Sequence, residues 1–242
     1  MSVRRLALIV IVLCVWEAVR RFGLVGPLLL ASPSEIVGAL IKSWPEYLDA
    51  LRFTFLEIAL ALAIAWALGI ATGVVAGMVP FLNAAAGPLL SSLFAVPLIT
   101  WYPLFMVWCG IGISSKIALA FILVAVLIFF TVYTGILQVD KRLVERITTL
   151  GGGRWALIRY VYLPSVASWI LSNMKVAVGF AFTGAVVGEF VAASRGLGYL
   201  LSFAQSTYNA ALMLALVMLI MAVVLVIFYL SGRLEKRLTR WN

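Results

Sequence analysis

The chain has 242 residues, of which 65% are hydrophobic and 11% charged, and its formal net charge is +9 at pH 7. Its mean hydropathy is +1.16. Charged residues make up about a quarter of a typical soluble domain, so this composition excludes an ordinary soluble fold. Several uncharged apolar blocks approach the roughly 20 residues needed to cross a hydrocarbon core about 30 Å thick. The sequence therefore predicts an all-α integral membrane protein surrounded by lipid.

The charge distribution and the missing residue types exclude several functions. Basic residues lie between the apolar blocks and at both ends, as topology signals do, so no nucleic-acid partner is expected. The chain has no histidine, which removes the commonest metal ligand and proton shuttle. With no metal-ligand cluster and no G-x-S-x-G motif, no catalytic or metal-binding residue is expected and a membrane enzyme has little support.

Six apolar blocks predict about six transmembrane helices in a single transmembrane domain, 1–242. Their predicted bounds are 6–22, 54–79, 87–110, 115–137, 166–192 and 208–231. The first block follows Arg4 and Arg5 like a signal peptide, but it lacks a convincing small-residue cleavage site and is interpreted as a retained span. After it, Ser32 and Glu35 form a capping-box pattern that predicts a short amphipathic helix at the membrane interface.

Small residues recur every four positions in two of the predicted spans. Gly69, Gly73 and Gly77 do so in span two, and Gly184 and Gly188 do so in span five. Small residues at this spacing let helices approach closely in lipid. These glycines therefore predict packing seams between helices rather than contacts with a solute.

The basic residues are divided unequally between the two sides of the membrane. If the N-terminus is cytoplasmic, eleven Lys and Arg residues lie in the cytoplasmic segments and six in the external ones. Cytoplasmic loops carry an excess of positive charge. The distribution therefore predicts that both termini are cytoplasmic.

The segment 138–165, between spans four and five, is the longest polar insertion on the predicted cytoplasmic side. Apolar residues at helical spacing predict two short helices separated by the glycines 151–153, and Pro164 is expected to end the second helix and begin span five. One interpretation is a basic helix lying on the membrane surface. The other is a coupling helix that docks into a soluble partner and transmits its movement to both spans.

This segment resembles the EAA loop of the permease subunits of ABC importers. Four residues lie at positions of that pattern: Glu145, Gly151, Leu163 and Pro164. Arg146 and Ile147 stand where the family pattern has two alanines. Further stretches resemble the same family in residue type and in their order along the chain. They are Pro33-Ser34, Pro97 with Pro103 and 108–112, and Gly188-Glu189 with 196–200. Together they resemble the branch associated with nitrate, taurine, alkanesulfonates and riboflavin or thiamine precursors.

The resemblance implies a type I ABC importer permease fold in the bacterial cytoplasmic membrane. It also implies a second copy of the chain, two cytoplasmic ATP-binding subunits and an extracytoplasmic solute-binding protein. The chain itself has no G-x-x-x-x-G-K-[ST] motif, so no cofactor is expected here, and ATP and Mg belong to the partner. The residues expected to couple to that ATPase are Glu145, Leu150, Gly151, Arg154, Leu163 and Pro164.

A face of span five is a candidate for the translocation pathway. Lys175 and Glu189 are fourteen positions apart, close to four helical turns, with Thr183 between them. Charges within a bilayer are costly and usually face a protein interior or a water-filled path. The alternative interpretation is that each of these two charged residues lies near a membrane interface or pairs with a neighbouring helix.

Trp101, between Pro97 and Pro103 in span three, has two interpretations. It is either an aromatic packing residue or a gate at a point where the prolines open the backbone.

A secondary transporter or channel is the alternative to an ATP-driven importer. It is expected to show an internal repeat or dense intramembrane charge, and neither is clear in this sequence. The solute, whether a sulfonate, nitrate or a vitamin precursor, is not determined by the sequence.

Overall fold

The computed structural model describes residues 3–26 and 28–238, and the regular structure within these ranges is entirely helical. The helices are α1 Val3–Arg21, α2 Pro33–Lys42, α3 Trp44–Met78, α4 Pro80–Ala95, α5 Tyr102–Cys109, α6 Ile113–Leu137, α7 Lys141–Thr149, α8 Arg154–Leu157, α9 Leu163–Ala192, α10 Leu197–Ser206 and α11 Ala210–Leu238. A 3₁₀ helix, Leu98–Trp101, precedes α5, and a π-helical turn, Ile158–Tyr162, joins α8 to α9.

Four helical stretches among the described residues are long and apolar enough to cross a membrane. They are Trp44–Met78, Ile113–Leu137, Arg154–Ala192 and Ala210–Arg233. Helix α1 has 19 residues and carries charged residues near both ends. The stretches agree with predicted spans two, four, five and six, although α3 begins ten residues before the predicted start of span two.

The third predicted span, 87–110, is not a single helix, because the helical structure is broken within it. Val96, between α4 and the 3₁₀ helix, has extended backbone with φ −96° and ψ 127°. Pro97 follows it, and a proline disfavours helical backbone at the residue before it and donates no backbone hydrogen bond. The apolar segment therefore consists of α4 and a second piece, Leu98–Cys109.

The predicted capping box at the start of α2 is confirmed. The Ser32 side chain accepts a hydrogen bond from the Glu35 amide, and the Ser32 amide donates to Glu35 Oε2 over 2.8 Å. Helix α1 is tied to the same corner, because Trp16 Nε1 donates to the Ala31 carbonyl at 3.0 Å and Glu17 accepts from the Ser34 hydroxyl at 2.8 Å.

The glycine seam predicted in span two is confirmed at the contact between α3 and α6. A Cβ at Gly73 would lie only 2.9 Å from the Cβ of Val132. The successive contacts along the seam are Gly69 with Ile128, Gly73 with Val132 and Gly77 with Ile136. Because the numbers rise together on both helices, α3 and α6 run parallel.

The seam predicted in span five is confirmed at the contact between α9 and the other side of α6. A Cβ at Gly184 would lie 2.5 Å from the Cα of Ala120. At the other end of α9, the Ser165 hydroxyl donates to the Gly135 carbonyl at 3.4 Å. Helix α9 is therefore antiparallel to α6, and α6 is held between α3 and α9.

These directions give the bundle two distinct ends. The end that contains residues 138–153 is called the loop end, and the opposite end, with residues 110–112 and 193–196, is called the far end. Helix α11 runs antiparallel to α9, since Phe228 lies against Gly179 and Gly232 lies against Lys175. The C-terminal part of α11 therefore returns to the loop end.

The break predicted at the three glycines is present, but the predicted stop at Pro164 is wrong. Helical structure continues without interruption from Arg154 to Ala192, a stretch of 39 residues. Proline cannot donate the usual intrahelical hydrogen bond. The π turn ahead of it absorbs the defect, since the Leu163 amide bonds to the Ile158 carbonyl five residues back. The second half of the loop is thus an extension of span five.

Candidate functional site: the coupling segment and the interior polar cluster

The coupling segment, 138–165, is an exposed hairpin of two helical pieces at the loop end. Helix α7 begins at Asp140, whose side chain accepts from the Arg142 amide at 2.9 Å. The six predicted coupling residues are all exposed: Glu145, Leu150, Gly151, Arg154, Leu163 and Pro164. All six thus lie exposed within the segment at the loop end, and their contact with an ATPase stays a prediction.

Large apolar side chains in this segment have no cover. Leu150 is 84% exposed, Trp155 72% and Tyr160 65%. They belong to a segment that also carries the charged residues of α7, outside the predicted lipid-facing spans. Contiguous exposed apolar patches on polar surfaces mark interaction sites. The chemistry of the segment therefore suits docking against another protein.

The turn between the two helical pieces depends on its glycines. The Gly152 amide donates to the Ile147 carbonyl at 2.9 Å and the Gly151 amide to the Thr148 carbonyl at 3.0 Å, the pattern of a Schellman helix end. Gly151 has a φ of +80°, which side chains disfavour. At Gly152 a Cβ would meet Ile147 at 2.5 Å. The reversal is therefore tight and sequence-specific.

The structure does not bring the predicted pathway residues together. Lys175 Nζ pairs with Glu235 Oε2 of α11 at 2.7 Å. Thr183 is exposed, donates to the Gly179 carbonyl at 3.0 Å and lines an apolar groove of about 570 Å³ between α9 and α11. Trp101 is 36% exposed at the end of the 3₁₀ helix. Roles for Lys175, Thr183 and Trp101 in a pathway stay predictions.

Glu189 is buried in this structure, and a role for it in a pathway stays a prediction. Its side chain belongs to an interior polar cluster at the far end, made of Thr54, Glu57, Lys116 and Glu189. Glu189 is 1% exposed, and its Oε1 accepts from the Thr54 hydroxyl at 2.7 Å. It pairs with neighbouring elements, as the alternative interpretation of the sequence had it.

No pattern in the sequence connects the other members of this cluster with one another. Lys116 Nζ lies 3.4 Å from Glu57 Oε1, and both residues are buried. Lys116, one of the six basic residues that the predicted topology places outside, lies within the first turn of α6. The only signal in the sequence was a carboxylate, Glu57, inside a predicted span.

The interior polar cluster also holds the start of α10 in place. The Gly198 amide donates to Glu189 Oε2 at 2.8 Å and the Leu197 amide to the Thr54 hydroxyl at 3.1 Å. Gly196, with φ +107°, lies so close to the Glu189 carboxylate that a side chain there would overlap it. Helix α10, which the sequence did not predict, is therefore fastened to α3 and α9.

Among the described residues, no group of three or more His, Cys, Asp or Glu side chains could hold a metal ion. The described surface contains the coupling segment at the loop end, and the described interior contains the interior polar cluster at the far end.

The fold is that of importer-type ABC permeases. An inward-facing methionine ABC transporter superposes with a TM-score of 0.71 at 19% identity, over 82% of this chain and 99% of that chain. An amino acid ABC transporter crystallised with histidines gives a TM-score of 0.61 at 18% identity, over 84% and 97%.

The chain belongs to the family of binding-protein-dependent transport system inner membrane components, whose model matches residues 67–240. It is therefore a multi-pass ABC transporter permease, as the EAA-like segment indicated.

Named relatives fall in the branch suggested by the sequence. A riboflavin transport system permease protein of Chloroflexus aurantiacus is 31% identical over 164 residues, which are 68% of this chain and 61% of that relative. A taurine transport system permease protein of Escherichia coli is 27% identical over 96% of this chain and 87% of the relative. A formylaminopyrimidine transport permease protein of Halalkalibacterium halodurans is 30% identical over 76% and 74%.

Proposed function

We propose that this chain is the membrane-spanning subunit of an ATP-driven importer that passes a small solute into the cytoplasm by alternating access. The observation that carries the proposal is the Arg154–Ala192 helix, which joins the exposed coupling segment to a membrane span without a break. At 1.5 Å per residue it is about 58 Å long. A push on its exposed end is therefore transmitted across the bundle to the far end.

The energy source in this proposal is a separate pair of cytoplasmic ATP-binding subunits. The residues that contact them are Glu145, Leu150, Gly151, Arg154, Leu163 and Pro164, with the apolar side chains supplying buried area and Glu145 and Arg154 supplying charge pairing. ATP and Mg are held by those subunits. Closure of the ATPase pair moves two copies of the coupling segment together and opens the pathway outward, and hydrolysis resets it.

Two copies of the chain form the pathway, and a solute-binding protein docks on the external side. The exposed face of α9 that carries Thr183, and Trp101 at the broken third span, are the proposed lining, with Lys175 near its loop end. The loop end is cytoplasmic, as are both termini, in the bacterial inner membrane. This placement rests on the excess of basic residues in the segments at that end.

The solute is proposed from the relatives alone: an organic sulfonate, or a vitamin or vitamin precursor such as riboflavin or a formylaminopyrimidine. The names of the taurine, riboflavin and formylaminopyrimidine permeases support this range. Nitrate remains in the range suggested by the sequence resemblance.

Purification of the tagged chain from its native membrane in mild detergent, followed by mass spectrometry, tests the proposal. A stoichiometric ATPase carrying a G-x-x-x-x-G-K-[ST] motif is expected to copurify. Recovery of the folded chain without such a subunit would overturn the proposal and favour a secondary transporter, which uptake assays under imposed ion gradients would then examine.

A further inference from the structure

Three ionisable side chains of the interior polar cluster lie together away from water at the far end. Glu57 is 2% exposed, Lys116 6% and Glu189 1%. With all three ionised, the cluster carries two negative charges and one positive charge. An unbalanced charge in a buried site is strongly unfavourable. One added proton therefore brings the summed charge of the cluster to zero.

The two carboxyl groups of the cluster differ in what they accept. Glu189 accepts one hydrogen bond on each oxygen, from the Thr54 hydroxyl and from the Gly198 amide. These bonds favour its ionised form. Glu57 faces Lys116 through Oε1, whereas its Oε2 is buried and has no hydrogen-bond partner.

The two carboxyl groups are neighbours, because Thr54, which donates to Glu189, lies three residues before Glu57 on the same face of α3. Two ionised carboxylates are acceptors only and cannot bond to each other, whereas a protonated carboxyl is a donor. A proton on Glu57 gives Glu57 a donor toward Glu189 and makes the summed charge of the cluster zero.

We propose that Glu57 and Glu189 form a binding site for one proton, carried by Glu57, which neutralises the cluster and keeps α10 fastened to α3 and α9. Two polar side chains near the site have contacts with other groups. The Tyr102 hydroxyl, from α5, donates to the Gly188 carbonyl at 2.9 Å, and the Arg195 guanidinium lies 5.1 Å from the centre of the Phe53 ring.

The site has a route to the exterior of the bundle through Lys116. This side chain also lines a cavity of about 440 Å³ at the far end, together with Ser194, Ser202 and Ser206. Water in such a polar cavity can reach the ammonium group. The cavity therefore connects the lysine of the site with the solution at the far end.

Infrared spectroscopy of the purified chain in lipid vesicles at neutral pH tests the proton directly. The wild-type protein is expected to show a carboxylic acid C=O band that shifts in D₂O. The band is expected to be lost in Glu57→Gln and kept in Glu46→Gln, a matched change at an exposed glutamate near the same end. Persistence of the band in Glu57→Gln overturns the proposal, as does a wild-type spectrum without it.

Thermal unfolding of the same preparations provides a second test. Gln at position 57 has the shape and the donor of the protonated residue, so Glu57→Gln is expected to unfold at the wild-type temperature. Glu189→Gln is expected to unfold at a lower temperature, because its amide NH₂ cannot accept from Thr54 or Gly198. A Glu57→Gln variant that fails to fold, or that unfolds as early as Glu189→Gln, overturns the assignment.

Discussion

Gly151 determines the shape of the coupling segment, because its φ of +80° is a conformation that side chains disfavour. Gly151→Ser introduces about 1–2 kcal/mol of local strain and distorts the turn between α7 and α8. We expect the spans to fold normally and the ratio of ATP hydrolysed to solute transported to rise, as measured in vesicles containing the complete complex.

Gly153→Ser is the matched control for this change. Gly153 has a φ of −80° and precedes α8, where serine is a favourable helix cap, and a Cβ there meets no neighbouring atom. Its ratio is expected to equal that of the wild type. Equal ratios in both variants would contradict a role for the turn in coupling.

Gly73 shows how closely α3 and α6 approach. In Gly73→Ala the new methyl would lie 2.9 Å from Val132 Cβ and 3.0 Å from the Phe129 carbonyl oxygen. Overpacking of this kind costs about 1–3 kcal/mol, so the detergent-solubilised protein is expected to unfold at a lower temperature.

The same substitution at Gly38 separates overpacking from a general effect of the change. Gly38 lies inside α2, and a Cβ there has no neighbour within 4 Å. Alanine is a better helix former than glycine, so Gly38→Ala should unfold at or above the wild-type temperature. A loss as large as that of Gly73→Ala would show that the seam is not what limits stability.

At the scale of the elements, the proposal depends on the continuity of the Arg154–Ala192 helix. Two glycines inserted after Ser165 break the helix just beyond the coupling segment and leave residues 138–165 intact. We expect the ATPase to copurify as with the wild type, and solute uptake to fall to background. The same insertion after Leu24, in the connection between α1 and α2, should leave uptake unchanged. Normal uptake with the first insertion would exclude transmission through this helix.

The exposed apolar side chains of the coupling segment are a second element with a measurable role. Removal of the Trp155 side chain in Trp155→Ala takes away much of the apolar area available for docking, and aromatic anchors often dominate an interface. The amount of ATPase copurified with the chain should fall several-fold. Leu225→Ala is the control, since Leu225 is also exposed, at 60%, but lies on the membrane-spanning helix α11. An equal loss in both variants would point to general damage.

At the scale of the whole molecule, the helix directions place the coupling segment and residue 194 at opposite ends. In a background with Cys14 and Cys109 replaced by serine, Leu150→Cys and Ser194→Cys each introduce one exposed thiol. A membrane-impermeant maleimide applied to intact cells is expected to label position 194. Position 150 should react only after permeabilisation, and the reverse pattern would invert the proposed topology.

The amino-acid sequence alone is sufficient to assign the class of this protein and most of its membrane-spanning helices. Long uncharged apolar runs leave a chain few options besides spanning helices, because each backbone polar group must be satisfied without water. The capping box at Ser32 and the glycine seams of spans two and five could also be predicted, because helix caps and the spacing of small residues depend only on residues close together in sequence. The order of motifs around the coupling segment indicated the permease family.

Features that depend on contacts between residues distant in sequence could be seen only in the packed helices. Lys116 and Glu189 look like separate charges until α6 and α9 run antiparallel and bring them beside Glu57, so the interior polar cluster and α10 were not predictable. The two prolines had different effects on their helices. Pro97 breaks the third apolar segment, whereas the π turn before Pro164 keeps its helix continuous. Whether a proline interrupts a helix depends on which groups satisfy the freed carbonyl, and only the packed bundle supplies that answer.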